Sequence, residues 1–263
     1  MISSLTDVRM RSTAAFLALA LAACGGPAMQ APASAPAPQP ASVAPSPQAA
    51  ARSLPASLRW FRRSAEYRAS ARQTYALAAE RLAALTQGRA TGSWGVILDA
   101  DETVLDNGEY EQRRAEVDSG YTDASWVAWV REASAPAVPG AVAYVAYARS
   151  LGGRVVIVTN RADSLCAPTR ANLERVGVSA DLVLCQAPGG SDKNPRFESV
   201  ERGTIPSTLP ALTVVEFLGD NIQDFPHMTQ AVRTDSTALA RFGRDWFILP
   251  NPMYGSWERN QAN

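Results

Sequence analysis

Four apolar runs, each ended by a polar cluster, constrain the fold of this chain more than any other feature. Trp94-Gly-Val-Ile-Leu98 leads into Asp99-Ala-Asp-Glu-Thr103, and Arg154-Val-Val-Ile-Val-Thr159 leads into Asn160-Arg161. Asp181-Leu-Val-Leu-Cys185 precedes a loop holding Lys193, and Leu212 to Leu218 runs into Gly219-Asp-Asn-Ile-Gln-Asp224. Runs without a polar face read as strands buried on both sides. Helical stretches are predicted between them: about Pro55 to Leu85, with Tyr75, Ala79 and Leu82 on one face, Asp123 to Ala133, and Pro139 to Leu151, stopped by Gly152-Gly153. Further helices are expected from Thr169 to Val176, closed by Gly177, around Phe197 to Glu201, and over most of Phe225 to Leu239. Trp246 to Leu249 reads as a last strand. Strands alternating with helices predict an α/β fold, a doubly wound parallel sheet covered on both faces.

The N-terminal segment reads as targeting. Arg9 and Arg11 precede an apolar run, Thr13 to Ala23, which has the order of a signal peptide and is too short to span a bilayer. Leu21-Ala-Ala-Cys24-Gly25 resembles a bacterial lipobox, so residues 1–23 are expected to be removed and Cys24 lipidated. Residues 24–53 are dominated by Ala, Pro, Ser and Gln and read as a spacer, because such a segment has too little apolar surface to offset its ordering entropy. The folded domain is then 54–263. The protein is expected to sit in the cell envelope as an outer-membrane lipoprotein, held to the membrane by its anchor.

Composition narrows the chemistry. The 263 residues carry 25 Lys plus Arg against 25 Asp plus Glu, so no basic excess supports a nucleic-acid partner. Three cysteines and one histidine, His227, exclude a Cys₄ or Cys₂His₂ zinc site within one chain and any mechanism using two histidines.

In an open α/β sheet, ligands collect beyond the carboxyl ends of the strands. Asp99, Asp101, Thr159, Asn160, Lys193, Asp220 and Asp224 all fall there, and their types suit phosphoryl transfer. A carboxylate and a phosphate repel, so a cation must neutralise the pair. Asp99 and Asp220 can hold Mg²⁺, a hard cation that prefers oxygen. Thr159, Asn160 and Lys193 can hold phosphoryl oxygens. Asp101 can protonate the leaving oxygen and later activate water.

This arrangement resembles the haloacid-dehalogenase (HAD) superfamily, and more closely its subfamily IIIB, the class C acid phosphatases and lipoprotein 5′-nucleotidases. The resemblance rests on Asp99-Ala-Asp-Glu-Thr-Val-Leu-Asp-Asn107, Pro139-Gly-Ala141, Gly219-Asp-Asn-Ile-Gln-Asp-Phe225 and Leu249-Pro-Asn-Pro-Met-Tyr-Gly-Ser-Trp257. It implies a Mg²⁺-dependent phosphatase acting on small phosphomonoesters such as nucleoside 5′-monophosphates or nicotinamide mononucleotide. Asp99 would be the nucleophile and Asp101 the acid/base. The metal would sit on Asp99, Asp220 and the Asp101 main-chain carbonyl, and Asp224 would orient metal-bound water. The resemblance also implies a homodimer and a small helical cap, about 54–88 plus 107–138.

Trp126 and Tyr254 match family positions where aromatics flank the substrate, although a Trp at helical spacing alone reads as core. Leu105 and Asn107 are expected in the same pocket. Arg161 is read either as a surface charge or as an anchor behind the site, and His227 as structural or exposed. Cys166 and Cys185 lie near the same sheet edge in an exported chain. They are expected to form a disulfide, against the alternative of two buried thiols. A non-catalytic, nucleotide-binding surface lipoprotein on the same fold is the competing reading. Intact Asp99, Asp101, Lys193 and Asp220 argue against it.

Overall fold

In a computed structural model, residues 53–205 and 209–260 are described; the signal-peptide, Cys24 and spacer readings concern residues outside that range. The helices are α1 (Ala56–Arg63), α2 (Ala65–Leu85), α3 (Gly108–Glu116), α4 (Asp123–Glu132), α5 (Ala141–Ser150), α6 (Cys166–Arg175) and α7 (Asn194–Arg202). The strands are β1 (Trp94–Leu98), β2 (Arg154–Ala162), β3 (Leu182–Gln186), β4 (Thr213–Gly219) and β5 (Trp246–Ile248). All pair in parallel, in the order β3-β2-β1-β4-β5. Among the described residues, no helix is long and apolar enough to cross a membrane.

Every residue of β1 is buried, as its unbroken apolar run requires. Val96 and Leu98 face a core shared with Tyr75 and Leu82 of α2, Trp129 of α4, Tyr144 of α5 and Leu173 of α6. Ile97 faces the other core, with Phe197 and Val200 of α7, Phe225 and Trp246. The doubly wound arrangement thus follows from period-2 side-chain placement on strands with no polar face. One departure matters below. Gly95 pairs with Val214 and Val96 with Glu216, so Val215 is an extra residue in β4. Such a bulge puts Val215 and Glu216 on the same face.

Three expectations are corrected. The helix expected over Pro55–Leu85 is two helices, because the Ser64 hydroxyl accepts the Tyr67 amide (3.0 Å) and starts a new helix. The segment Phe225–Leu239 is not mostly helix: short 3₁₀ turns cover Gln230–Thr234 and Ala238–Arg241. Pro226 lacks an amide proton and His227, which is exposed, holds a left-handed φ of 59°, so no helix runs through them. Finally, α2, expected in a cap, packs against β4, β5 and α5, with Tyr75, Ala78 and Leu82 in the core.

Candidate active site

The four strand-end clusters converge. Asp99 follows β1, and its amide donates to Leu218 O of β4 (3.0 Å), which ties the start of the loop to the neighbouring strand. Asp220 and Asp224 follow β4. Carboxylate oxygens of Asp99, Asp220 and Asp224 all lie within 4.8 Å of one another. Lys193, immediately before α7, donates from Nζ to Asp99 Oδ1 (2.5 Å) and Asp224 Oδ1 (2.6 Å), and is 4% exposed. Asp224 Oδ2 accepts the Asn221 amide (2.8 Å), and Asp220 accepts from Thr103 Oγ1 (3.3 Å) and Asn251 Nδ2 (2.8 Å).

The electrostatics follow from this crowding. Burial first, then Asp224 and Asp101, push Asp99 up to about 7 against the opposing pull of Lys193. Asp220 is held well above the usual carboxylate range, first by burial and then by Asp224 and Asp99. Burial alone would lower Lys193, but Asp224 and Asp99 outweigh it and keep the ammonium charged. Three carboxylates face one ammonium away from water, so negative charge is in surplus. Oxygen donors in surplus charge, with no thiolate or imidazole among them, fit a hard divalent cation.

Thr159 is fully buried in β2; its Oγ1 accepts the Arg161 amide (3.1 Å) and keeps its own proton to donate. Asn160 is exposed and is held by Ser191 O (3.0 Å) and by Arg196 Nη2 (2.5 Å), which donates to its Oδ1. Asp101 lines a cavity of about 480 Å³ with Tyr110, Glu111, Tyr121, Trp126, Met253, Tyr254 and Glu258. Trp126 is half-buried there, edge-on to Tyr110 at 5.1 Å.

Leu105, expected in that wall, has no exposed surface and belongs to the core, because the turn after β1 folds back on itself: its amide donates to Ala100 O (2.8 Å). Asn107 is also fully buried. It touches Asp101 from behind, donating to Oδ1 (2.8 Å). Arg161 is 1% exposed and ion-paired to Asp101 (2.7 Å), which removes the surface-charge alternative. Sequence reasoning missed Glu102, a fully buried carboxylate that accepts the Asn107 amide (2.7 Å), and Asn251, which reaches Asp220 from beyond β5. Asn251 lay in a quoted motif, so its position was marked although its partner was not. Cys166 and Cys185 are joined in a disulfide, with Cα atoms 5.8 Å apart, and tie α6 to β3.

Comparison with known proteins gives the family. Residues 29–257 match the model of the HAD superfamily, subfamily IIIB (acid phosphatase). The chain is similar to the class C acid phosphatase of Bacillus anthracis, at 32% identity over 77% of this chain and 85% of that one, with a TM-score of 0.68. A second structure of that enzyme, with tungstate bound, matches equally well. With most of its length matched to one family model, and a parallel sheet that presents three clustered aspartates and a lysine, the chain belongs to the acid phosphatases of HAD subfamily IIIB and is a phosphoric monoester hydrolase.

Proposed function

We propose that this phosphatase hydrolyses small phosphomonoesters through an aspartyl-phosphate on Asp99, with Mg²⁺ held by Asp99, Asp220 and Asp224 and by the Asp101 carbonyl. The observation that carries this reading is the Asp99–Asp220–Asp224 cluster, closed on one side by Lys193. Bound there, the cation would neutralise the repulsion between the phosphoryl group and its nucleophile. Asp99 forms a bond to phosphorus as the ester P–O bond breaks, and the electron pair leaves with the ester oxygen. Asp101 gives that oxygen a proton, then takes one from the water that cleaves the aspartyl-phosphate. Lys193 has three donors and spends two on carboxylates, leaving one for a phosphoryl oxygen; Thr159 offers its hydroxyl proton to another. Tungstate is a tetrahedral oxyanion like phosphate, and its presence in the similar Bacillus anthracis enzyme supports an oxyanion site here.

The aromatic cavity beside Asp101 suits a flat leaving group. Nucleoside 5′-monophosphates and nicotinamide mononucleotide are therefore the substrates we infer, with aryl phosphates as surrogates. We also infer export and lipid anchoring at Cys24, which would place the enzyme in the cell envelope.

Asp99→Asn tests the nucleophile: turnover should vanish while the fold persists, and more than about one per cent residual activity refutes it. Chelation should silence the enzyme and Mg²⁺ restore it. Calorimetric titration of Mg²⁺ into Asp220→Asn should show weakened binding whatever the activity.

A further inference from the structure

We infer that Arg161, with Asn107, is a positioning residue that selects which oxygen of Asp101 exchanges a proton with the leaving group. The inference rests on the acid/base role proposed for Asp101 and adds to it a division of labour between that residue's two oxygens.

The two oxygens of Asp101 are treated unequally. Oδ1 accepts from Arg161 Nη2 (2.7 Å), Arg161 Nε (3.0 Å) and Asn107 Nδ2 (2.8 Å). Oδ2 accepts one long contact, from Arg161 Nε at 3.3 Å. Three donors fill the lone pairs of Oδ1, leaving no room there for a proton. Oδ2 is then the oxygen left to exchange a proton, on a side chain that lines the cavity with Trp126 and Tyr254.

The donors are themselves fixed. Asn107 Oδ1 accepts from Trp129 Nε1 (2.8 Å) and from Arg161 Nη2 (3.2 Å). Two donors on that atom identify it as the oxygen, so the amide nitrogen must face Asp101. Arg161 donates from Nη1 to Thr169 Oγ1 (3.4 Å), and its guanidinium lies 5.3 Å from the centre of the Trp126 ring. Its main-chain amide donates to Thr159 Oγ1. One residue thus touches the acid/base, the proposed phosphate ligand Thr159 and the aromatic wall of the leaving-group cavity. A guanidinium is needed for this, since the planar fork reaches two acceptors in fixed directions and an ammonium does not.

The proton balance is simple. As the P–O ester bond breaks and Asp99 bonds to phosphorus, the proton on Oδ2 passes to the ester oxygen, which keeps the bond's electron pair. In the second half-reaction, Oδ2 takes the proton of the attacking water as the Asp99–phosphorus link is cut. Arg161 acts through Asp101 and bonds to no atom of the ester or of the attacking water.

Leaving-group dependence tests this. With the Mg²⁺-loaded full chain, Arg161→Gln should lower kcat for glycerol phosphate about 100-fold, the scale of a displaced general acid. The same variant should lower kcat for p-nitrophenyl phosphate by less than about 5-fold, because nitrophenolate departs almost unaided. Arg161→Lys should fall between, since it keeps the charge and loses the fork. In an Asp101→Asn background, adding Arg161→Gln should cost the alkyl ester nothing more, because the residue acts through Asp101. Equal losses on both esters, or additive losses in that background, overturn the inference. If Arg161→Gln does not fold by thermal unfolding, Asn107→Ser, which removes one donor from Oδ1, must show the same split; its absence also overturns the inference. Failure of the underlying acid/base reading would look different: Asp101→Asn would itself lower kcat for both esters equally.

Discussion

Glu216 offers a stability test independent of any ligand. It lies on β4 with no exposed surface; Tyr144 Oη donates to its Oε2 (2.5 Å), and Oε1 has no partner among the described residues. Burial, offset in part by the Tyr144 hydrogen bond and reinforced by the charge of Asp245, pushes its pKa from 4.5 up to about 8. Between those values the folded chain holds a proton that the unfolded chain has released, so stability falls as pH rises. The protonated group's contribution is complete below about 4.5 and is lost as pH climbs through about 8. At about 1.36 kcal/mol per pH unit, the loss approaches 5 kcal/mol across that window. A whole domain has only about 5–15 kcal/mol to lose. Glu216→Gln cannot ionise and should remove this slope. Urea unfolding of both proteins at pH 5, 6, 7 and 8, followed by tryptophan fluorescence in chelator, isolates the effect, because every other titrating group is shared. The variant's stability relative to the parent should rise by about 1 kcal/mol per pH unit above pH 5. A fixed offset from the unsatisfied amide is expected and does not matter. A difference that stays flat from pH 5 to 8 would refute the buried neutral carboxyl.

Trp126→Ala should raise KM for AMP and p-nitrophenyl phosphate more than for glycerol phosphate; a uniform change in steady-state kinetics would return the residue to a packing role. Gly219→Ala should weaken Mg²⁺ binding about 10-fold or more, read by calorimetry, because the new Cβ would sit 2.3 Å from Asp224 Cβ and 2.5 Å from its Oδ2. Alkylation of the unreduced, unfolded protein followed by intact-mass measurement should find neither Cys166 nor Cys185 labelled. Cys166→Ser should cost about 3 kcal/mol in urea unfolding, the chain-entropy value for a loop of this size.

Much of the candidate site could be read before the structure because each position lies at or beyond the end of an apolar run. A short, β-branched Val-Ile-Val stretch bounded by turn residues reads as a buried strand, and a polar residue beyond its carboxyl end falls where ligands collect. Residues whose role depends on a neighbour were not legible in that way. Read alone, Leu212–Leu218 alternates and puts Val215 and Glu216 on opposite faces. Only its pairing with β1 reveals the extra residue that turns Glu216 toward Tyr144. Arg161 was equally consistent with solvent, since nothing local shows that β2 runs on to Ala162 and carries the residue inward.

The expected phosphoryl-transfer cluster draws on four strand ends, with Tyr254 placed beyond a fifth only by resemblance, and Asn251 brings that fifth end to Asp220. The segment after β5 sends Asn251 to Asp220 and Tyr254 to the cavity wall, so it joins the proposed metal ligands to the leaving-group pocket. That link gives a physical reason for Pro250 to Trp257, which phosphoryl transfer by itself does not require. Asn251 Nδ2 supplies Asp220 with a donor where burial and two neighbouring carboxylates all disfavour its charge. Ser256 Oγ donates to Asn221 Oδ1 (2.8 Å), in the turn whose main-chain amide fixes Asp224 Oδ2. The segment therefore braces both aspartates that follow β4, while Tyr254 lines the cavity proposed for the leaving group. A change in the pocket wall is thus mechanically connected to the aspartates proposed to hold the metal, through the turn that carries them.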